Sequence, residues 1–210
     1  MTDKTIIYGA GGHARELQFQ MQMEGVPTLA FVDDFRSGFE IEGIPVLFRD
    51  DAVARFPGAR WLIAIGDNAG RKDILAALRE IGLPTGSFIS SRALVSPSAS
   101  ISGVTQLFAN SVVSAGVSLE DNVIVNFGSV LHHDVSVGAN SFIASGVTIA
   151  GNVRVGSGAW LGVGCTIING ASEHPLNIGN NVVVGAQACV VRDVGDHEIV
   201  VGVPAKSRPS

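Results

Sequence analysis

The chain has 210 residues, room for one large domain or two small ones. It carries 14 Lys and Arg against 19 Asp and Glu, a formal net charge of -5, which argues against the basic face of a general nucleic-acid binder. No apolar run approaches the roughly 18–20 residues of a membrane span. The N-terminus shows no basic-then-apolar leader, and Cys165 and Cys189 offer neither a disulfide framework nor a metal spacing, so a cytoplasmic protein without metal is expected.

The charge is unevenly spread. Residues 1–94 hold 22 charged side chains and residues 95–200 hold nine. The second half is too rich in Gly and Val to be helical. Two domains of different architecture are therefore expected, residues 1–86 and residues 87–210.

In chain order, Thr5-Ile6-Ile7-Tyr8 reads as a short apolar strand. It runs into Gly9-Ala10-Gly11-Gly12-His13-Ala14 and then a helix to about Glu24. Glycines between a strand and a helix let backbone N–H groups approach a phosphate at the helix N-terminus, which marks Gly9, Gly11 and Gly12. A second strand over residues 29–32 ends at Asp33-Asp34, about 20 residues beyond the glycines, where a carboxylate can accept from a ribose or base. A third, residues 61–65, ends in Gly66-Asp67-Asn68, and a helix over 70–81 carries Arg71 and Lys72, candidate donors to an anionic ligand. These strand ends converge on one edge of a parallel sheet, the usual ligand crevice. A half-domain of about 85 residues suits one nucleotide better than the two of a dehydrogenase cofactor.

From Val95 onward every sixth residue is Val, Ile or Leu, through Ile101, Leu107, Val113, Leu119, Val125, Leu131, Val137, Ile143, Ile149, Val155, Leu161 and Ile167. The phase breaks once and resumes at Ile178, Val184 and Val190, so five residues are inserted within 170–177. A period of six fits a parallel β-helix with three hexads to each 18-residue coil. The aliphatic fills the interior, and a small residue or Val four positions later fits beside it. Gly and Asn at Gly138, Asn140, Gly146, Gly151, Asn152, Gly156 and Gly158 suit corners that need positive φ. Cys165 falls in an interior slot and reads as core. Leu131-His132-His133-Asp134 holds the only His and carboxylate grouping of the regular coils. A histidine is largely neutral and basic near pH 7. Gly151, one coil after His133, should stack over it.

The repeat resembles that of the hexapeptide-repeat acyltransferases. With Gly9–Ala14, the Asp33-Asp34 step, Ile63–Asn68, Ser96-Pro97-Ser98-Ala99 and Gly202-Val203-Pro204-Ala205-Lys206, the whole chain resembles the NeuD/PglD-like sugar acetyltransferases, closest to the nucleotide-4-amino-sugar N-acetyltransferases. The resemblance implies a small Rossmann-like α/β domain followed by a left-handed parallel β-helix, although the general crossover rule favours the right hand. It implies a homotrimer with active sites between subunits, acetyl-CoA in the β-helix cleft, and a nucleotide-linked amino-sugar on the N-terminal domain. By the same resemblance His133 is the general base and Asp134 orients it. Gly9, Gly11, Gly12, His13, Asp33, Asp34, Gly66, Asn68 and Arg71 serve the nucleotide-sugar. Gly151, Gly164 and Lys206 serve the cofactor, together with Phe142, which stands where many members have a second histidine. The implied activity is N-acetylation of a nucleotide-linked amino-sugar, a 4-amino-4,6-dideoxy sugar by preference, for surface polysaccharide. Sialic-acid-type O-acetylation and a non-catalytic scaffold are the alternatives. The insertion at 170–177 is expected to flank the CoA channel.

Overall fold

A computed structural model describes residues 4–208, in two compact units, one up to Ser90 and one from Ser91. The N-terminal unit is built on strands β1 (Thr5–Tyr8), β2 (Thr28–Val32), β3 (Phe39–Ile41), β4 (Ile44–Leu47) and β5 (Arg60–Ile63), with helices α1 (Gly12–Met23), α2 (Arg49–Arg55) and α3 (Asn68–Glu80). Its sheet has the order β3-β4-β2-β1-β5. β1 lies parallel to β2 and β5, and all four of its residues are buried. A strand covered on both faces reads as a continuous apolar run, which is what Thr5–Tyr8 shows. α1 buries Ala14, Leu17, Gln18 and Met21, an i, i+3, i+4, i+7 stripe.

The β3–β4 hairpin and α2 were not legible in the sequence. The hairpin strands have three and four residues, and Pro45 lies inside the second. Their turn is made by Glu42 (φ 52°) and Gly43 (φ 77°), both left-handed, as a type I′ turn requires. α2 has only seven residues.

The second unit is a parallel β-helix. On one face the ladder runs Val95, Val113, Leu131, Ile149, Ile167, Val190; on the next it runs Ile101, Leu119, Val137, Val155, Ile178. The third carries Leu107, Val125, Ile143, Leu161, Val184 and Val200, and closes with the antiparallel strand Lys206–Ser207. Steps of 18 residues become 23 between Val155 and Ile178 and between Ile167 and Val190, which places the five-residue insertion after Ile167. From Leu107 to Val190 the inward aliphatics are at most 4% exposed. Each contributes about 1.5–3 kcal/mol by leaving water. Three interior serines are satisfied: Ser111, Ser129 and Ser141 donate to the carbonyls of Phe108, Ala144 and Gly156 at 2.7, 2.7 and 3.0 Å.

The corner glycines divide into two kinds. Asn140, Gly146, Asn152 and Gly158 have positive φ, as expected. Gly138, Gly151 and Gly156 do not; they are small because the neighbouring coil leaves no room. A Cβ on Gly138 would lie 2.5 Å from the Ser157 amide nitrogen, and one on Gly156 would lie 2.7 Å from that of Asn180.

Candidate active site

The carboxyl edge of the N-terminal sheet holds two adjoining cavities. One, of about 330 Å³, is lined by the Tyr8–Gly11 turn, Val32–Arg36, Ile65 and Ile74. The other, of about 460 Å³, shares Tyr8, Asp34 and Ile74 and adds Phe48–Asp50, Asp73, Ala77 and Leu78. Gly9 (φ 125°) lets the chain turn out of β1, and a Cβ there would press to 2.6 Å from the Ala64 carbonyl oxygen. Gly11 caps α1 without a side-chain bond and lines the first cavity, so the N-terminal end of the helix, a setting that favours anions, lies next to it.

Of the two acids, Asp33 belongs to the turn. It accepts from the amides of Phe35 and Arg36 at 2.9 and 3.0 Å and from the Arg36 guanidinium at 3.2 Å. Partial burial works against its charge, yet these donors together hold its carboxyl below the ordinary 3.8. Asp34 accepts from the Tyr8 hydroxyl at 2.5 Å. Burial first, then Asp34, raises the Tyr8 phenol above its usual range, so it remains a donor at neutral pH.

Arg71 requires a correction. Expected as a donor to an anionic ligand, it is fully buried and donates to the carbonyls of Ile65 (3.2 Å) and Gly66 (3.3 Å) and to Asn68 Oδ1 (2.9 Å). Burial draws its guanidinium down to about 10, still charged at neutral pH. It ties the β5–α3 loop from within, and these bonds point it into its own loop. Asp67 helps by accepting from Gly70 N at 2.6 Å. Gly66 lies in that loop, Asn68 begins α3, and Gly12 and His13 begin α1, but none of the four lines either cavity. The His13 ring is 10% exposed, with Nδ1 3.6 Å from Glu16. Sequence reasoning missed Tyr8, Arg49 and Ile74, which come from three separate elements. An acid after β2 signals the edge, but nothing local signals which side chains meet it.

In the β-helix, His133 and Asp134 sit at a corner, exposed. His133 Nδ1 lies 2.9 Å from Asp134 Oδ2. Adjacent residues rarely face one another; here Asp134 has φ 58°, which turns its carboxylate back toward the preceding ring. A carboxylate only accepts, so this bond calls for the proton on Nδ1, and in the neutral ring Nε2 is then the acceptor. Nε2 points over Gly151: a Cβ on Gly151 would lie 2.4 Å from it. One coil below, a Cβ on Gly116 would lie 2.5 Å from Asp134 Oδ1. The dyad thus stands between two residues without side chains.

The insertion leaves the same corner two coils above. Gly170 N and Leu176 N donate to the carbonyls of Gly151 and Asn152, and Ala171 and His174 pair reciprocally at 3.0 Å. Ser172 and Pro175 of this loop line a cavity of about 440 Å³ together with Asp134, Asn152 and Arg154.

Phe142 is buried and stacked on Trp160, with centroids 4.5 Å apart and planes 12° apart. Gly164 lies at the corner between the Trp160–Leu161 and Thr166–Ile167 strands, and Lys206 lies exposed on the closing strand. Within one chain neither Phe142, Gly164 nor Lys206 shares the His133 corner. Cys165 is interior, and burial pushes its thiol up to about 12, so it stays protonated. Among the described residues no group of His, Cys, Asp and Glu could hold a metal ion, and no helix is long and apolar enough to cross a membrane.

An α/β unit with a glycine turn, joined to a hexad β-helix bearing a corner His–Asp pair, defines a sugar acyltransferase of the hexapeptide class. Residues 4–78 match the PglD N-terminal domain, and residues 116–151 match the bacterial transferase hexapeptide of six repeats. WeeI from Acinetobacter baumannii AYE superimposes with a TM-score of 0.93 at 26% identity, over 98% of this chain and 99% of that one. A histidine-to-alanine variant of GDP-perosamine N-acetyltransferase from Caulobacter crescentus, in complex with CoA and GDP-perosamine, gives 0.90 at 31% identity, over 99% and 97%. The acetyltransferase domain of PglB from Neisseria gonorrhoeae FA1090, in complex with acetyl coenzyme A, gives 0.88 at 30%, over 99% and 100%. The chain belongs to the NeuD/PglD-like family of hexapeptide-repeat sugar acetyltransferases, and its β-helix is the left-handed one of that family.

Proposed function

We propose that this enzyme transfers the acetyl group of acetyl-CoA to the amine of a nucleotide-linked amino-sugar, with His133 as general base. The carrying observation is the hydrogen bond that His133 Nδ1 donates to Asp134, which leaves Nε2 as an acceptor beside Gly151, where no side chain blocks a substrate. The amine nitrogen attacks the thioester carbonyl carbon, and Nε2 takes the proton the amine must lose. The C–S bond then breaks, and the thiolate leaves and takes up the proton held on the ring. General bases so placed contribute about 10²–10⁴ in rate. The Gly151 N–H is the nearest backbone donor for the oxyanion; its neighbours Ala150 and Asn152 already donate to Ile167 and His133. The corner that carries Gly151 continues through Asn169, along which pantetheine would run. No covalent enzyme intermediate is required, because the thioester is already activated.

His133 and Phe142 are nine residues apart, half of the 18-residue coil, so one copy cannot bring both to one acetyl group. A homotrimer with sites between subunits resolves this: Phe142, Gly164 and Lys206 would be contributed by a second copy. Both substrates are cytoplasmic metabolites, which is where the enzyme would act.

The nucleotide is best read as guanosine diphosphate. The larger N-terminal cavity presents the carboxylates of Asp34, Asp50 and Asp73 against Arg49, whose Nε is held by Asp50 at 3.1 Å. Guanine offers adjacent N1–H and N2–H donors, whereas uracil and thymine offer one N–H between two carbonyls. A sugar with a free amine at C4, of the 4-amino-4,6-dideoxy class, fits the perosamine bound by the Caulobacter relative.

The test is release of CoA thiol from acetyl-CoA with GDP-, UDP- and dTDP-linked 4-amino sugars and free sialic acid. GDP-sugar turnover with the highest kcat/KM is expected. Better turnover of a UDP- or dTDP-sugar would overturn the guanine reading alone, and turnover of sialic acid alone would overturn the N-acetyltransferase reading.

A further inference from the structure

The outward residues on the β-helix face beyond the catalytic corner form one column, Ser100, Ser118, Ser136, Arg154 and Asn177, set by the strand register. Four are small and neutral. Arg154 alone is long and charged, and with Arg192 it is one of two cations in residues 95–200. It is exposed, and no acidic side chain forms an ion pair with it among the described residues. It lines the cavity of about 440 Å³ whose other polar residues are Ser118, Asp134, Ser136, Asn152 and Ser172.

The position of this cavity is informative. Asp134 belongs to the dyad, so one end of the cavity adjoins the dyad on its carboxylate side, while His133 itself lies outside the lining. Ser136 lies two residues further along the strand, about 7 Å, and Arg154 sits one coil, about 4.8 Å, above Ser136. A flexible arginine there reaches anionic oxygens within roughly one sugar unit of His133. The other side is bordered by the insertion, through Ser172 and Pro175. The loop is fixed at both ends, by Gly170 N on the Gly151 carbonyl and by Leu176 N on the Asn152 carbonyl, and Asn177 Nδ2 holds the Pro175 carbonyl at 2.9 Å. A cation without an internal partner, three hydroxyls and an amide line one recess beside the dyad. The one acid in the recess, Asp134, already has an oxygen committed to His133.

We propose that this recess is a phosphate subsite and that Arg154 is its anchor, a specificity-determining contact outside the catalytic pair. The inference rests on the acetyl-transfer reading, in which both substrates carry phosphates; the phosphate is either the one next to the sugar or one of CoA. Arg154 clamps it through charge-assisted hydrogen bonds, which for guanidinium and phosphate can be bidentate. The hydroxyls of Ser118, Ser136 and Ser172 supply neutral donors around it.

The experiment compares the parent with Arg154→Gln and Arg154→Lys. Steady-state KM is measured for the nucleotide-sugar, acetyl-CoA and acetyl-dephospho-CoA, and Kd is measured calorimetrically for GDP, CoA and dephospho-CoA. A rise of about tenfold in KM and Kd is expected for one substrate in Arg154→Gln, the size of one lost charge-assisted bond. The kcat should stay within about twofold, and Arg154→Lys should recover part of the affinity. A rise confined to the nucleotide ligands assigns the sugar-linked diphosphate. A rise for CoA that disappears with dephospho-CoA assigns its 3′-phosphate, and one shared by both thiols assigns its diphosphate. Unchanged KM and Kd throughout, or a loss of kcat alone, would overturn the subsite. Because the calorimetry needs no turnover, a parent inactive on every amino-sugar would defeat the proposed activity while the binding data still decide the subsite.

Discussion

Arg71 in the N-terminal unit and Arg154 in the β-helix are both long cations set among polar groups, yet they have opposite surroundings. Arg71 is enclosed and donates to two carbonyls and an amide oxygen of its own loop. Arg154 lies exposed on a face of serines beside an open recess. The same contrast holds for the acids: Asp33 is committed to the turn that contains it, while Asp134 holds a histidine whose second nitrogen is open. The α/β unit has long loops to hold in shape, and its charged groups are drawn into that task. In the β-helix the backbone ladder and stacked aliphatics hold each coil on the next, and its few charged groups divide. Glu120, Asp121, Asp193 and Asp196 accept from backbone amides of neighbouring coils, whereas His133 Nε2 and Arg154 face open surroundings.

Three variants would sharpen or break this contrast. The largest effect is expected for His133→Asn, whose kcat should fall by about 10²–10⁴ while its unfolding midpoint stays within about one degree of the parent; normal turnover would remove His133 from the reaction. Arg71→Met should behave in the opposite way. Leaving the Ile65 and Gly66 carbonyls without their donor should cost about 1–3 kcal/mol in denaturant unfolding, with little change in kcat. If it instead raised the KM for the nucleotide-sugar and left stability alone, Arg71 would be a ligand contact after all.

Asp33→Ala should be the mildest, about 1 kcal/mol at pH 7. Because the Asp33 carboxyl is held below 3.8, its contribution is complete above that pH and is lost as pH falls through the folded-state value. The Tm difference between parent and variant should therefore shrink only in acid. A difference that shrank on raising the pH from 7 to 9 would be incompatible with this assignment.

Much of the β-helix was legible because its signal is a spacing. Six residues separate one inward side chain from the next, and 18 separate stacked ones, so the positions of Leu131, Gly151 and the insertion relative to one another follow by counting. The N-terminal cavities were less legible because Tyr8, Arg49 and Ile74 meet only after β1, α2 and α3 have packed, and no fixed interval relates them. Phe142 shows the limit of counting in the other direction. The interval from His133 places it on a different face, but its stacking on Trp160 and its burial depend on neighbours 18 residues away and beyond.

The sequence by itself determined the two-part division, the register of the coils and the corner on which His133 and Asp134 stand, because periodic burial writes these into residue type and spacing. Tertiary structure decided three further things. The left-handed backbone at Asp134 folds its carboxylate back onto the ring, the glycines at 116 and 151 leave the dyad room, and of two arginines one is buried as a brace while the other faces a recess. Residue type sets what a side chain can donate or accept; only packing sets whether it meets its own backbone or a ligand.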